Sequence, residues 1–212
     1  MKKKEKILIS VEKSLLDSKR EVSLKINKKL RSRNIKSFDV MGSVGAGKTT
    51  LIKRIVESLN NRVGVIAADL TTTIDKERIE ESGAKVVQIN TVKMCHLDGN
   101  LILENLENFK DVDVLLIENV GNLICPAEFP LGCDKRIVVI SVTEGPYTVK
   151  KHPYTIIGVD VVVNKIDLAQ RMEVFPEELK KDVLMINPKA KVFLTNAKNG
   201  DGVDELVSYL MG

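Results

Sequence analysis

From Ser37 onward the chain alternates short apolar runs with amphipathic stretches of helical length. Phe38–Met41, Val63–Ala68, Lys85–Ile89, Val112–Ile117, Ile137–Val142, Val159–Val163 and Val192–Leu194 are rich in Val and Ile, as strands buried on both faces must be. Between most of them lie Lys48–Leu59, Asp75–Ser82, Leu97–Phe109, Pro176–Leu184 and Val203–Met211, which read as helices. Strands alternating with helices predict an α/β fold, a doubly wound and mainly parallel seven-stranded sheet. Residues 1–33 differ: they are highly charged, with Leu15, Leu16, Val22, Leu24, Ile26 and Leu30 at irregular helical spacings. They predict an amino-terminal helical extension over residues 1–36, packed on a single domain of residues 37–212, with a partner-binding arm as the alternative. No internal repeat, low-complexity segment or Gly/Ser linker interrupts the pattern.

Composition narrows the class. At 212 residues, 43% hydrophobic and 29% charged, the chain has the make-up of a globular domain with a sizeable core. No apolar run approaches the roughly 20 residues needed to span a bilayer. The start, Met1-Lys2-Lys3-Lys4, leads only into Ile7-Leu8-Ile9 before charge resumes, so no secretory signal is read and a cytoplasmic location without a membrane partner is expected. The formal charge of +4 is spread along the chain and accompanies only 4% aromatics and no Trp. That disfavours a nucleic-acid surface while leaving a phosphate-bearing small ligand open. Three Cys in a reducing compartment point to buried thiols or metal ligands rather than to a disulfide framework.

Directly after the first predicted strand stands Gly42-Ser43-Val44-Gly45-Ala46-Gly47-Lys48-Thr49, a full match to G-x-x-x-x-G-K-[ST], and Thr50 continues into a helix. The glycines let backbone N–H groups wrap a phosphate, Lys48 would reach the β- and γ-phosphates, and the Thr49 hydroxyl would bind Mg²⁺. This predicts a P-loop nucleoside triphosphatase. The sixth strand runs into Asn164-Lys165-Ile166-Asp167, the N-K-x-D pattern. A carboxylate at Asp167 accepts from the paired N–H donors of guanine, which adenine lacks, so the expected nucleotide is GTP. Asn164 would tie this loop to the phosphate loop, the Lys165 stem would pack on the base, and Ala197-Lys198 stands where GTPases place a further backbone contact to guanine. Glu118-Asn119-Val120-Gly121 resembles D-x-x-G, with Glu118 as an acid for Mg²⁺ and the Gly121 N–H for the γ-phosphate. Asp69 and Asp75 are further acids aimed at the same strand ends, or else a loop acid and a helix cap. The expected chemistry is slow, Mg²⁺-assisted attack of water on the γ-phosphate, with Lys48, Asp69, Asp75 and Glu118 as catalytic candidates and Thr49, Asp75 and Glu118 as Mg²⁺ ligands. Asn122, not Gln, follows Gly121, so no residue is assigned to orient the water.

Cys95 and His96 are adjacent after the third strand, and Cys125 follows Gly121 by four residues. Both segments leave the carboxyl ends of strands, the face that holds the nucleotide. Thiolate with imidazole suits Zn²⁺ or Ni²⁺ rather than Mg²⁺, although buried thiols remain the alternative. Cys133 has no assigned role, and His152 is expected at the surface.

Together these segments resemble one family, the nickel-insertion GTPases of hydrogenase maturation (the HypB family), in the SIMIBI class of P-loop GTPases. The match runs through Gly42–Thr50, Asp69, Thr73-Ile74-Asp75-Lys76-Glu77-Arg78-Ile79, Cys95-His96-Leu97-Asp98, Glu118 to Phe129, Val142-Thr143-Glu144-Gly145, Asn164–Leu168 and Asn187-Pro188. The resemblance implies Zn²⁺ or Ni²⁺ at Cys95, His96 and Cys125 and a GTP-promoted homodimer. It also implies delivery of nickel to the [NiFe]-hydrogenase large subunit with an accessory protein of the HypA type. Departures occur: Ala67-Ala68 stands where family members often carry Glu-Gly, and Asn196-Ala197-Lys198 replaces Ser-Ala-Lys. The alternatives are a urease-type nickel accessory GTPase, which typically shows Cys-Pro-His and Glu-Ser-Gly-Gly, a regulatory GTPase with structural cysteines, and a GTP-dependent assembly factor without turnover.

Overall fold

The strands pair in the order β3-β2-β4-β1-β5-β6-β7, all parallel. Their ranges are β1 Lys36–Gly42, β2 Val63–Asp69, β3 Lys85–Asn90, β4 Val114–Glu118, β5 Lys135–Ser141, β6 Asp160–Asn164 and β7 Val192–Leu194. The helices are α1 Lys2–Ser32, α2 Lys48–Ser58, α3 Ile74–Glu80, α4 Gly99–Asn105, α5 Ile124–Glu128, α6 Thr148–Lys151, α7 Ala169–Met172, α8 Pro176–Ile186 and α9 Val203–Met211. This computed structural model describes the backbone of residues 2–69, 73–91 and 94–212, and the side chains of 17–68, 73–91 and 94–212.

Side chains alternate across each strand, so one sheet serves two cores. Val40, Val65, Val114, Leu116, Ile137 and Val139 face Leu51, Ile52 and Ile55 of α2 and Leu206 and Leu210 of α9. Ile66, Leu115 and Ile117 face the other way, against Ile26 and Leu30 of α1, Ile102 of α4 and Phe109. Val138, Ile140, Val161 and Val163 continue that second face toward Leu179 and Val183 of α8. The sheet is therefore covered on both sides, which is why its strands read as continuous Val/Ile runs.

The register sets up the site. Val40 pairs with Glu118 on one side and Ile137 on the other, Ala67 pairs with Glu118, and Ser141 pairs with Asn164. The carboxyl ends of β2, β4, β1, β5 and β6 thus finish side by side. α2 leaves β1 toward the first face, whereas the segment after β4 sends Leu123 and Leu131 to the second. Loops that diverge in this way open a crevice.

Val22, Ile26 and Leu30, four residues apart, turn inward from α1, while Leu24 is 63% exposed. Leu15 and Leu16 lie outside the described side chains. The helix approaches Gly132 so closely that a Cβ there would stand 2.1 Å from the Ser23 carbonyl oxygen, and Asn27 Nδ2 donates to the Gly132 carbonyl at 2.8 Å. Other differences from the sequence expectation are local. The helix expected from Leu97 begins at Gly99, because Asp98 caps it by accepting from the Asn100 N–H at 2.8 Å, and it tightens to a 3₁₀ turn over Leu106–Phe109. β4 starts after Val112, whose side chain is buried while the Asp113 N–H bonds to the Arg62 carbonyl outside the ladder. Among the described residues no helix is long and apolar enough to cross a membrane.

Candidate functional site

Residues 42–47 loop from β1 into α2. Gly47 adopts φ 99° at the amino end of α2, with no side-chain cap, and a Cβ there would lie 2.4 Å from Asn164 Nδ2. An uncapped helix start leaves N–H groups aimed at the loop, the arrangement that attracts anions. Lys48 is 7% exposed, and its Nζ donates to the Gly42 and Ser43 carbonyls at 3.1 and 3.0 Å. Burial pulls its pKa down, against the nearby carboxylates of Glu118, Glu144 and Asp75. Ser43 Oγ donates to Glu144 Oε1 at 2.6 Å. Thr49 Oγ1 donates to Glu118 Oε1, also at 2.6 Å. A cleft of about 430 Å³ opens over this loop, and Asp75, Arg78, Glu118, Gly121 and Lys165 help to line it.

The loop after β6 grips the phosphate loop through side chains. Asn164, 2% exposed, donates from Nδ2 to the Ala46 carbonyl at 3.0 Å, while its Oδ1 accepts from Thr195 Oγ1 and from the Ala197 N–H. Lys165, at φ 61°, sends Nζ to the Gly45 carbonyl at 2.6 Å. Asp167 is exposed in the following 3₁₀ turn. The Lys198 N–H is taken by Asn196 Oδ1, and the Lys198 carbonyl accepts from Arg54.

The acids divide. Glu118 reaches Thr49. Asp75, in the first turn of α3, pairs with Arg78 at 3.3 Å, and Arg78 continues to Thr50 Oγ1 at 3.3 Å. Asp69 ends β2, but its side chain lies outside the described residues. Gly121 packs under Val44, where a Cβ would come within 2.6 Å of Val44 Cγ2.

Cys95 and Cys125 come together although 30 residues separate them in the chain. The Cys125 thiol is pushed up, first by the neighbouring Cys95 and then by burial. Cys95 Sγ stands 3.6 Å from His96 Nδ1. Ligands about 2.3 and 2.0 Å from one tetrahedral Zn²⁺ are about 3.5 Å apart, so this pair has the spacing of a shared metal. The His96 ring stacks on Phe129 at 4.2 Å, its Nε2 contacts Lys19 Nζ at 3.0 Å, and burial followed by Lys19 lowers its pKa. Among the described residues no group of three or more His, Cys, Asp or Glu side chains is gathered to hold a metal ion within the single chain. Cys133, in contrast, packs against the core beneath α1, where burial raises its pKa strongly.

A family model described as "CobW/HypB/UreG, nucleotide-binding domain" matches residues 37–194. The chain is 42% identical over 208 residues to a protein of Methanocaldococcus jannaschii named "Probable hydrogenase maturation factor HypB", covering 96% of this chain and 94% of that one. It belongs to the HypB family. The crystal structure of hydrogenase maturation factor HypB from Archaeoglobus fulgidus superposes with a TM-score of 0.87 at 39% identity, covering 92% of this chain and 98% of the other. HypB from Helicobacter pylori in complex with nickel superposes at 0.85 with 27% identity, covering 92% and 94%. Membership makes residues 37–194 a nucleotide-binding domain and fits the P-loop architecture of the sheet.

Sequence reasoning assigned no role to the side chains that brace these loops. Glu144, inside the matched Val142–Gly145 segment, forms a capping box with Ser141 and also holds Ser43. Arg78 links Asp75 to Thr50 and Arg54 links α2 to Lys198. Their only signal was a charged residue recurring beside a motif.

Proposed function

We propose that the chain is a Mg²⁺-dependent GTPase that helps deliver nickel during maturation of [NiFe]-hydrogenase. The observation that carries this reading is the clasp of Asn164 and Lys165 on the Ala46 and Gly45 carbonyls, which holds an N-K-x-D loop at fixed distance from a phosphate loop. Phosphates entering the loop replace the Gly42 and Ser43 carbonyls as partners of the Lys48 ammonium, which then faces the charge that develops on the β/γ bridge. The loop N–H groups from Gly42 to Thr50 orient the phosphates, and the Gly121 N–H lies across the cleft for the γ-phosphate. The Asp167 carboxylate accepts from guanine, with Ala197 and Lys198 flanking the base. Thr49, Glu118 and Asp75 offer only oxygen ligands, which suits Mg²⁺, and they would hold it. Bound there, it would neutralise phosphate charge. Asp69, whose backbone ends β2, remains a catalytic candidate of this reading.

Nickel is the cargo in this reading. Cys95, His96 and Cys125 take it, and Zn²⁺ is the competing occupant. One chain leaves the set short of closure, so two-fold pairing in a GTP-promoted homodimer completes the site. A HypA-type accessory protein and the hydrogenase large subunit are the partners.

The test is Asp167→Asn. It presents a donor where guanine also donates, so GTP affinity falls by about 2–4 kcal/mol and xanthosine triphosphate is gained as a substrate. Wild-type kcat and KM for GTP in that variant would overturn the base assignment.

A further inference from the structure

Asp39 is fully buried in the middle of β1, an acid flanked by Phe38 and Val40 on a central strand. A lone carboxylate there is costly unless it is paired. Asn119 Nδ2 donates to Asp39 Oδ1 at 3.1 Å, and Arg136 Nε donates to Oδ2 at 3.3 Å. Both partners then reach outward, and each reaches a different cysteine segment. Asn119 Oδ1 accepts the Leu97 N–H at 3.2 Å, two residues from Cys95. Arg136 donates to the Pro126 and Ala127 carbonyls, directly beyond Cys125. The backbone of Asn119 is fixed as well, its N–H bonding to the Val40 carbonyl at 3.0 Å, and its neighbour Glu118 holds Thr49 of the phosphate loop.

We propose that Asp39, Asn119 and Arg136 are positioning residues that set the separation of Cys95 and His96 from Cys125 and connect that separation to the nucleotide end of β4. The proposal rests on the metal reading above. One carboxylate is the common anchor, so the two cysteine segments share a reference point that belongs to neither. A buried ion pair is a poor way to gain stability compared with apolar packing, and most outer bonds of this one go to the cysteine segments, at the Leu97 amide and at the Pro126 and Ala127 carbonyls of α5, with one more from Arg136 Nη2 to Met41 Sδ on β1. Groups behind a metal ligand that fix its placement typically change affinity by about 10–100-fold when altered. Because Asn119 follows Glu118 directly, a shift of Glu118 carries Asn119 and, through it, the Leu97 amide.

The experiment is Ni²⁺ titration of the purified full chain, read by thiolate-to-nickel charge-transfer absorption, with affinity for a fluorescent non-hydrolysable GTP analogue measured on the same samples. Arg136→Lys keeps the charge beside Asp39 but loses the fork that spans Pro126 and Ala127. It should weaken Ni²⁺ binding about tenfold and shift the absorption band, with analogue affinity within about twofold of wild type. Asn119→Asp sets two carboxylates against each other and should weaken Ni²⁺ binding further. Adding Asp39→Asn to it exchanges donor and acceptor, restoring the bond and most of the affinity even where Asn119→Asp alone is unstable. Wild-type nickel affinity and spectrum in folded Arg136→Lys, or no rescue by the exchanged pair, would overturn the proposal. Cys125→Ala separates the two levels. If it leaves the band unchanged, the metal reading fails and this proposal with it. If it abolishes the band while the Asp39, Asn119 and Arg136 variants do not alter it, the positioning role alone fails.

Discussion

The carboxyl edge of the sheet is held in two ways. On the β1, β5 and β6 side the loops grip one another directly: Asn164 and Lys165 take phosphate-loop carbonyls, and Glu144 takes Ser43. On the β2, β3 and β4 side the cysteine segments lie beside one another and lean on side chains supplied from elsewhere, Arg136 from β5 and Lys19 from α1. The first arrangement fixes a cradle of backbone groups, which suits a ligand bound always in one pose. The second sets Cys95 in the loop after β3 and Cys125 in the short helix α5, with a separation that depends on distant partners, which suits the proposed cargo, one that must be released.

The largest effect should come from Lys48→Ala, which removes the ammonium proposed to face the phosphate bridge. Single-turnover GTP hydrolysis should fall by about 10³-fold or more, while the reactivity of Cys95 and Cys125 toward a thiol reagent in the absence of nucleotide stays at the wild-type level. A parallel change in thiol reactivity would break the separation of the two regions. Leu30→Ala comes next. Leu30 is 1% exposed between α1 and the second core, so the truncation should cost about 2–5 kcal/mol in urea unfolding. Loss of that magnitude would show that α1 is integral to the cysteine side, and a loss under about 0.5 kcal/mol would show that it only rests there.

The contrast also explains what the sequence disclosed. Most strands were legible because burial on both faces favours Val, Ile and other apolar side chains, and α9 and β7 have the expected limits to the residue. The nucleotide side was legible because the shape of the phosphate loop is set by backbone geometry, which demands glycines at set positions: Gly47 could carry no Cβ beside Asn164. The cysteine side was only half legible. Cys95-His96 and Cys125 were visible as residue types, but nothing in their spacing encoded Asp39, Asn119 and Arg136, which meet across three strands and as many as 97 residues of chain. The short helices α5, α6 and α7 were missed for a related reason. At four or five residues they have too few turns for a periodic pattern, and tertiary contacts, not propensity, hold them.

The smallest effect sharpens the comparison at its edge, where α1 is pinned by charge. Glu107 receives Lys29 from α1, Arg33 from the turn just after it and its own neighbour Lys110, at 2.5, 2.5 and 2.8 Å. Lys110 first, then Lys29 and Arg33, hold its carboxyl well below the ordinary value of 4.5. A carboxylate depressed in the folded state stabilises the fold fully above its unfolded pKa, and that contribution fades as pH falls below about 4.5 toward the folded value. Because the cluster is solvent-exposed, screening leaves it weak. Glu107→Gln should therefore lower the Tm slightly at pH 7 in dilute buffer, with nucleotide affinity unchanged. The difference should shrink in 1 M NaCl, where the Debye length is about 3 Å, and again as pH falls below about 4.5, where the carboxyl of the unfolded chain begins to take up its proton. Calorimetry across a grid of salt and pH measures this directly. A Tm gap that persists undiminished in 1 M salt would mean that Glu107 acts through packing, and that α1 is fastened on the cysteine side by shape alone.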